Sequence, residues 1–468
     1  MSEKRDYGRP GIAESVVAAD AIVFLCGVSW AFGGNADWVR TPISIWGSLG
    51  VLTTAWLVVR GGRSSRSRAI SWSWPILALN ILVMASCLKP GFRVLKFGAD
   101  SYLLPVAIPW WQPSAARPDI AIRALWLFDG IYFSCLNIAL AIRRRTTLRL
   151  ILSCIAGNGL LLAAFGTVQK LVNSTGIYFG AIKSPQDYFF ASFVYDNHWG
   201  AFMVLTVSTC VGLTLRYCLR EGAGGLFRGP APMGFVATMA MAITVPLSGA
   251  RACTVLVGIV LAVGLAKGIR PIVAGARASG ISGGAACIAL AVLAFLSAWG
   301  AWTLGRDTIS GRLVKTREQV AAAWEQGGLG ARSVLYHDTW RMAKARPLFG
   351  WGMGSYPSVF QLYNTQEPHG DKIPVVYHDA HSDWLQSLSE VGFAGTSLIG
   401  IAAMLPIFQL FGKSRSLIVT FLMLGCTLVA AYAWIEFPFG NVAVVLGWWL
   451  CLFCAVQYAA PLESSDRA

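Results

Sequence analysis

Tyr377 to Gly395 reads YHDAHSDWLQSLSEVGFAG, and it sits where a long polar loop re-enters a run of apolar residues. It opens on two of the chain's five histidines, His378 and His381. Trp384, Leu385, Leu388 and Val391 then fall on one stripe of a helix, with Ser382 or Asp383 as its N-cap. A histidine just outside a helix N-terminus can meet an anion held by the free N–H groups. The dipole there disfavours imidazolium, which keeps the ring neutral and able to take a proton. The same residues would also suit an ordinary interfacial histidine at a loop edge.

Outward from this stretch, composition sets the class. The chain has 468 residues, of which 55% are hydrophobic and only 13% charged, and its mean hydropathy is +0.57. Those values describe a polytopic membrane protein and not a soluble one. Nineteen tryptophans and 49 glycines suit interfacial belts and close helix packing. The opening MSEKRDYGRPGIAES is polar, and no small-residue cleavage site follows it. The first apolar stretch therefore reads as a retained helix and not a signal peptide.

Apolar runs of spanning length place about twelve helices along the chain. They run from about Val16 to Phe32, Ile43 to Val59 and Trp72 to Leu88; the fourth ends at Arg143–Arg145 and the fifth covers Leu148 to Val172. A sixth ends near Arg216, a seventh and eighth are separated by LSGAR, and a ninth ends near Leu304. The last three cover Trp384 to Phe411, Leu417 to Trp434 and Val442 to Tyr458. The expected fold is thus all-α and polytopic, residues 1–468 forming a single membrane-embedded domain. One large hydrophilic loop, 305–383, is expected to contain helices. LLPVAIPWWQP, between Lys89 and Ile120, is too short and proline-broken to cross and reads as an interfacial or re-entrant piece.

With both termini cytoplasmic, the clusters at Arg60–Arg68, Arg143–Arg145, Arg216–Arg228, Lys267–Arg277 and Lys413–Arg415 all fall inside. One loop dissents: Lys89, Arg93, Lys96 and Arg117 would lie outside. The net charge of +15 is then topology and not nucleic-acid binding. All eleven cysteines lie in or beside predicted spans, without zinc spacing or a disulfide framework.

This topology puts His381, Arg251, Asn197, His198 and the 305–383 loop on one outer face. Arg251 could simply snorkel to the interface. Beside a neutral histidine it is also what a phosphate-handling site needs, because guanidinium is always charged and grips phosphate oxygens in a fork. Within the loop, Ala331 to Ala345 reads as an amphipathic helix, with Val334, Leu335, Trp340 and Met342 turned to protein or lipid and Pro347 as its stop. Glycines at 350, 352 and 354 read as a turn packing over the membrane face, not a dinucleotide fingerprint. Arg312, Arg332, Arg341 and Arg346 are candidate substrate contacts, most of them expected to be solvated. Glu436 and Asp196 look isolated, and no paired acids suit a divalent metal. No P-loop, H-E-x-x-H or G-x-S-x-G is present.

Four segments carry a resemblance. FVYDNHWGAFMVL (193–205), VPLSGARACTVLVGIVLAV (245–263), ARSVLYHDTWRMAKARPLFGWGMGSYPSVF (331–360) and YHDAHSDWLQSLSEVGFAG (377–395) resemble, in order, motifs of the O-antigen ligase and polymerase family of envelope glycan enzymes. Ser382 stands where that family usually has asparagine. Asp379 occupies the first position of its His-x-His pair, which leaves His381 as the better-aligned histidine. The resemblance implies a metal-independent, cofactor-free glycosyltransferase in a bacterial inner membrane, working at the periplasmic face. Its donor would be a glycan on undecaprenyl diphosphate. Its acceptor would be the lipid A core, another lipid-linked glycan in a polymerase, or a protein hydroxyl in an oligosaccharyltransferase. His381 would be the base, and Arg251, Arg332 and Arg312 would bind the diphosphate. His378, Asp383, Asn197 and His198 are supporting candidates. A small-anion transporter is the alternative of another class; no inverted repeat is visible to favour it.

Overall fold

The computed structural model describes residues 11–98, 100–186, 188–220, 230–278, 331–366, 376–411 and 416–460, with scattered residues between 280 and 318. Among them, ten helices are long and apolar enough to cross a membrane. They are Ile12–Trp30, Asp37–Arg60, Arg63–Cys87, Pro118–Ala141, Arg145–Leu171, Asp196–Arg220, Ala231–Ser248, Arg251–Ala278, Asp383–Phe408 and Val442–Ala459. A shorter apolar helix, Leu417–Tyr432, matches the eleventh expected span. The ninth, ending near Leu304, lies outside the described residues. The chain is an all-α polytopic membrane protein.

Small residues set the closest approaches, as they must where lipid removes the hydrophobic drive between helices. A Cβ on Gly47 would lie 2.6 Å from the Cα of Gly130, so Asp37–Arg60 and Pro118–Ala141 touch backbone to backbone. Val442–Ala459 is buried almost throughout and forms the centre of the bundle.

The two ends of the bundle differ in chemistry. At one end, Arg145 and Arg216 both lie over the ring of Tyr458, at 5.3 and 5.8 Å. Arg68 donates to the carbonyl of Ala139 at 2.9 Å, and the amide of Arg144 donates to Glu14 at 3.2 Å. The described chain ends, near Ile12 and Ala459, belong to this arginine-rich end. The opposite end gathers the starts of Asp196–Arg220, Arg251–Ala278, Asp383–Phe408 and Val442–Ala459.

Two features depart from the expected elements. Between Lys89 and Ile120 the chain forms an antiparallel hairpin, Phe92–Phe97 with Asp100–Pro105, where only an interfacial piece was anticipated. FRVLKF and DSYLLP are six-residue runs with β-branched and aromatic residues, joined through Gly98 at φ 61°. The helix Asp383–Phe408 is interrupted at Gly392, whose φ of 64° and ψ of −172° are not helical. A Cβ there would sit 2.4 Å from the carbonyl carbon of Leu348, so glycine is required on two counts.

Into that break fits the glycine turn. Phe393 and Ala394 donate their amides to the carbonyls of Pro347 and Leu348. Gly354 and Tyr356 donate theirs to the Glu390 carboxylate at 2.7 and 3.1 Å. Glycines 350, 352 and 354 all have positive φ. The turn therefore wraps a buried carboxylate, which is more specific than packing over a membrane face.

Candidate functional site

At the end of the bundle opposite the arginines, five separate stretches enclose a pocket of about 250 Å³. Its wall includes Tyr188, Tyr195, Asn197, Arg251, Arg332 and Glu436. Two helix N-termini open on it, at Asp196 and at Arg251, and their unpaired N–H groups favour an anion. The preceding helix ends at Gly249 with φ 92°. That left-handed C-cap turns the chain at once into the next span.

The segment after Leu417–Tyr432 supplies Glu436, whose side chain is almost fully buried. One of its oxygens pairs with the Arg332 guanidinium, and the other lies 3.3 Å from Nδ1 of His381. Burial alone would raise this carboxyl, but the hydrogen bond from His381 and the charge of Arg332 outweigh it and hold the group below the ordinary glutamate value. An ionised carboxylate only accepts, so Nδ1 of His381 donates and Nε2 is left as an acceptor. Glu436 was expected to be isolated. It is instead the residue that joins the helix Ala331–Ala345 to the histidine loop, two pieces far from it in sequence.

His381 itself has φ 50°, a left-handed conformation that few non-glycine residues adopt. The turn delivers the chain to Ser382, which caps the following helix by accepting from the amide of Leu385 at 3.4 Å. Tyr336 donates its hydroxyl to the His381 carbonyl at 2.9 Å, and the imidazole packs edge-on against Phe437 at 4.8 Å. Backbone, ring and Nδ1 are each held.

The remaining sequence candidates divide. Arg251, Arg332 and Asn197 line the pocket, and Asn197 donates to the Tyr195 hydroxyl at 2.9 Å. His198 is buried, placed between Asn35 at 3.3 Å and the carbonyl of Phe437 at 3.1 Å, and so pins the wall from behind. Asp383 accepts from the amide of Phe439 at 2.8 Å and fixes the segment that carries Glu436. His378 is exposed and is not part of the pocket wall. Arg312 lies outside the described residues. Of the other loop arginines, Arg341 sits 3.7 Å from Asp338. Arg346 is buried, contrary to the solvated expectation: it donates to Ser114 and stacks 4.0 Å from the Trp351 ring. Sequence reasoning missed Glu436, Tyr188 and Tyr195. A lone acid in the apolar segment IEFPFG was the available signal for the first.

Residues 236–400 match the family model described as O-antigen ligase. Through these residues the chain belongs to the O-antigen ligase/polymerase family. The match takes in Arg251, Arg332 and His381, but the opposing wall at 186–197 and Glu436 lie beyond it. No curated protein matches the chain. Membership supports glycosyltransferase chemistry of the ligase/polymerase type by a multi-pass membrane protein, with lipid-linked glycan donors and glycan acceptors in the membrane.

Proposed function

We propose that the protein is an O-antigen ligase-like glycosyltransferase that moves a glycan from undecaprenyl diphosphate to an acceptor hydroxyl, the lipid A core being favoured. The observation that carries this reading is the row His381–Glu436–Arg332, which ends in a pocket shared with Arg251. A histidine fixed by a carboxylate is a base of known tautomer. Two guanidiniums and two helix N-termini are a receptor for a diphosphate. With the arginine-rich end in the cytoplasm of a bacterial inner membrane, this pocket opens to the periplasm.

In the step itself, the acceptor oxygen attacks the anomeric carbon while its proton passes to Nε2 of His381. The bond from that carbon to the diphosphate oxygen breaks, and its electron pair leaves with the diphosphate. Arg251 and Arg332 meet the charge that develops there. A single displacement inverts the anomeric carbon. These groups need neither a metal nor a cofactor for the step. Arg332 has a second duty, because its pairing with Glu436 keeps that carboxylate ionised and the His381 tautomer fixed.

His381→Ala should abolish transfer in membranes while the protein still inserts and accumulates; a fully active variant would sink the assignment. The acceptor class is read from cells lacking the protein. Long polymers left on undecaprenyl diphosphate indicate that attachment has failed, as the ligase or a protein-directed transferase requires. Single repeat units left there indicate that the chain is a polymerase.

A further inference from the structure

The hairpin between the third and fourth spans takes no part in the pocket, yet its surface is chemically unusual. Residues 88–117 carry Lys89, Arg93, Lys96 and Arg117 against a single acid, Asp100. They lie at the end of the bundle where basic residues are otherwise sparse. Arg117 is matched by Asp119 at 2.8 Å, and Lys89 donates to Gln112 at 2.9 Å. Arg93 and Lys96 are exposed.

Strand register sorts the hairpin into two faces. Arg93 pairs with Leu104 and Leu95 with Tyr102, and alternate residues share a side. One face thus presents Arg93, Leu95, Tyr102 and Leu104, all exposed. Phe92, on the other face, is buried against Trp351 with ring centroids 6.2 Å apart. Trp110 and Trp111 add two further exposed indoles, at 54% and 55%. A cation beside apolar and indole surface is what a phosphorylated amphiphile at the membrane interface would meet.

The hairpin is also tied rigidly to the elements that build the pocket. Ala116 donates its amide to the Trp351 carbonyl at 2.6 Å, and the Trp351 indole donates to the carbonyl of Met342 at 3.0 Å. The helix Ala331–Ala345 then runs from this contact back to Arg332 at the pocket, a distance of about 20 Å at 1.5 Å per residue. The donor diphosphate is accounted for at Arg251 and Arg332. The hairpin therefore faces a second lipid-borne molecule, whose reactive hydroxyl stands well away from its anchor.

Resting on the reading above, we propose that the exposed face of the hairpin, with Trp110 and Trp111, docks the acceptor as a glycolipid. Phosphates on its headgroup meet Arg93 and Lys96, its acyl region meets the indoles, and its glycan spans the interval to His381.

The test uses the full chain in vesicles of zwitterionic lipid, supplied with a polyprenyl-diphosphate glycan donor. Three acceptors are compared: a phosphorylated glycolipid, the same glycolipid with its phosphates removed, and its glycan freed of acyl chains. The expected result is that Arg93→Glu with Lys96→Glu raises KM for the phosphorylated acceptor about tenfold. KM for the dephosphorylated acceptor, KM for the donor and kcat should stay as in the parent. Trp110→Ser with Trp111→Ser should raise KM for both lipid acceptors and leave the freed glycan unaffected. Equal KM values in all variants, with the parent transferring normally, would make the hairpin an ordinary membrane-interface element and overturn this inference alone. A changed donor KM would reassign the face to the donor and overturn it as well. A parent that transfers to none of the three acceptors would bring down the ligase reading itself.

Discussion

Nδ1 of His381 and Oε2 of Glu436 lie 3.3 Å apart across 55 residues of sequence, and the second Glu436 oxygen belongs to Arg332. One buried carboxylate thus sets both the proton position on the imidazole and the orientation of a pocket guanidinium. Glu436→Gln keeps the volume and removes the charge. The expected outcome is a fall in kcat of roughly 100-fold or more, with donor KM little changed, since orienting a general base is worth about that much. Steady-state transfer in vesicles measures it; an unaltered kcat would separate Glu436 from the chemistry.

The same carboxyl predicts a pH dependence of stability. Its folded value lies below the ordinary glutamate value of 4.5. A depressed acid contributes stability that is present above the unfolded value and is lost as pH falls through the folded one. Thermal unfolding in detergent should therefore show no contribution from this group between pH 8 and about 5. It should decline more steeply below the ordinary carboxylate range in the parent than in Glu436→Gln. Parallel curves for the two proteins would contradict the charge assignment.

Arg332→Lys keeps the charge and discards the fork. A lysine can satisfy Glu436 or face the pocket, but not both in one plane. Transfer should fall about tenfold, the cost of one charge-assisted hydrogen bond, with the larger part appearing in donor KM. Arg251→Ala should raise donor KM without altering the Glu436 titration seen in thermal unfolding, because Glu436 has its two partners elsewhere.

At the helix break, Gly392→Ala places a Cβ 2.4 Å from the Leu348 carbonyl carbon on a backbone with φ 64°. The cost should exceed about 2 kcal/mol, combining left-handed strain with a clash against main chain. Reduced accumulation and a lowered unfolding temperature check it. Ala at Gly157, where nothing lies within 4 Å, is the matched control and should be nearly silent.

The spans were legible because twenty-residue apolar runs are the strongest signal a sequence carries. So was Ala331–Ala345, whose Leu335 and Met342 are buried as its pattern required, and so was the Ser382 cap. Glycine spacing announced a turn, but not that the turn encloses Glu390, since the partner lies more than thirty residues away. The hairpin escaped notice because its six-residue strands do not alternate cleanly and proline dominates the segment after them. Glu436 escaped for a different reason. An ion pair over 104 residues leaves no local pattern, and a single acid among aromatic residues looks solitary until the chain is folded. The left-handed backbone of His381 was equally invisible, because it is imposed by what the loop must join.

The break at Gly392 also bears on how such proteins can be recombined. Residues 236–400 travel as a recognisable unit, and they hold both halves of the interrupted helix and the turn lodged in it. They do not hold the carboxylate that Arg332 and His381 share, nor the tyrosine wall at 186–197. A chimera that exchanged this unit alone would import a histidine and two arginines into a host that must supply their counter-charge. Exchange should succeed only between chains whose last two spans present an acid at the same height, which makes the Glu436 segment the compatibility code for the rest.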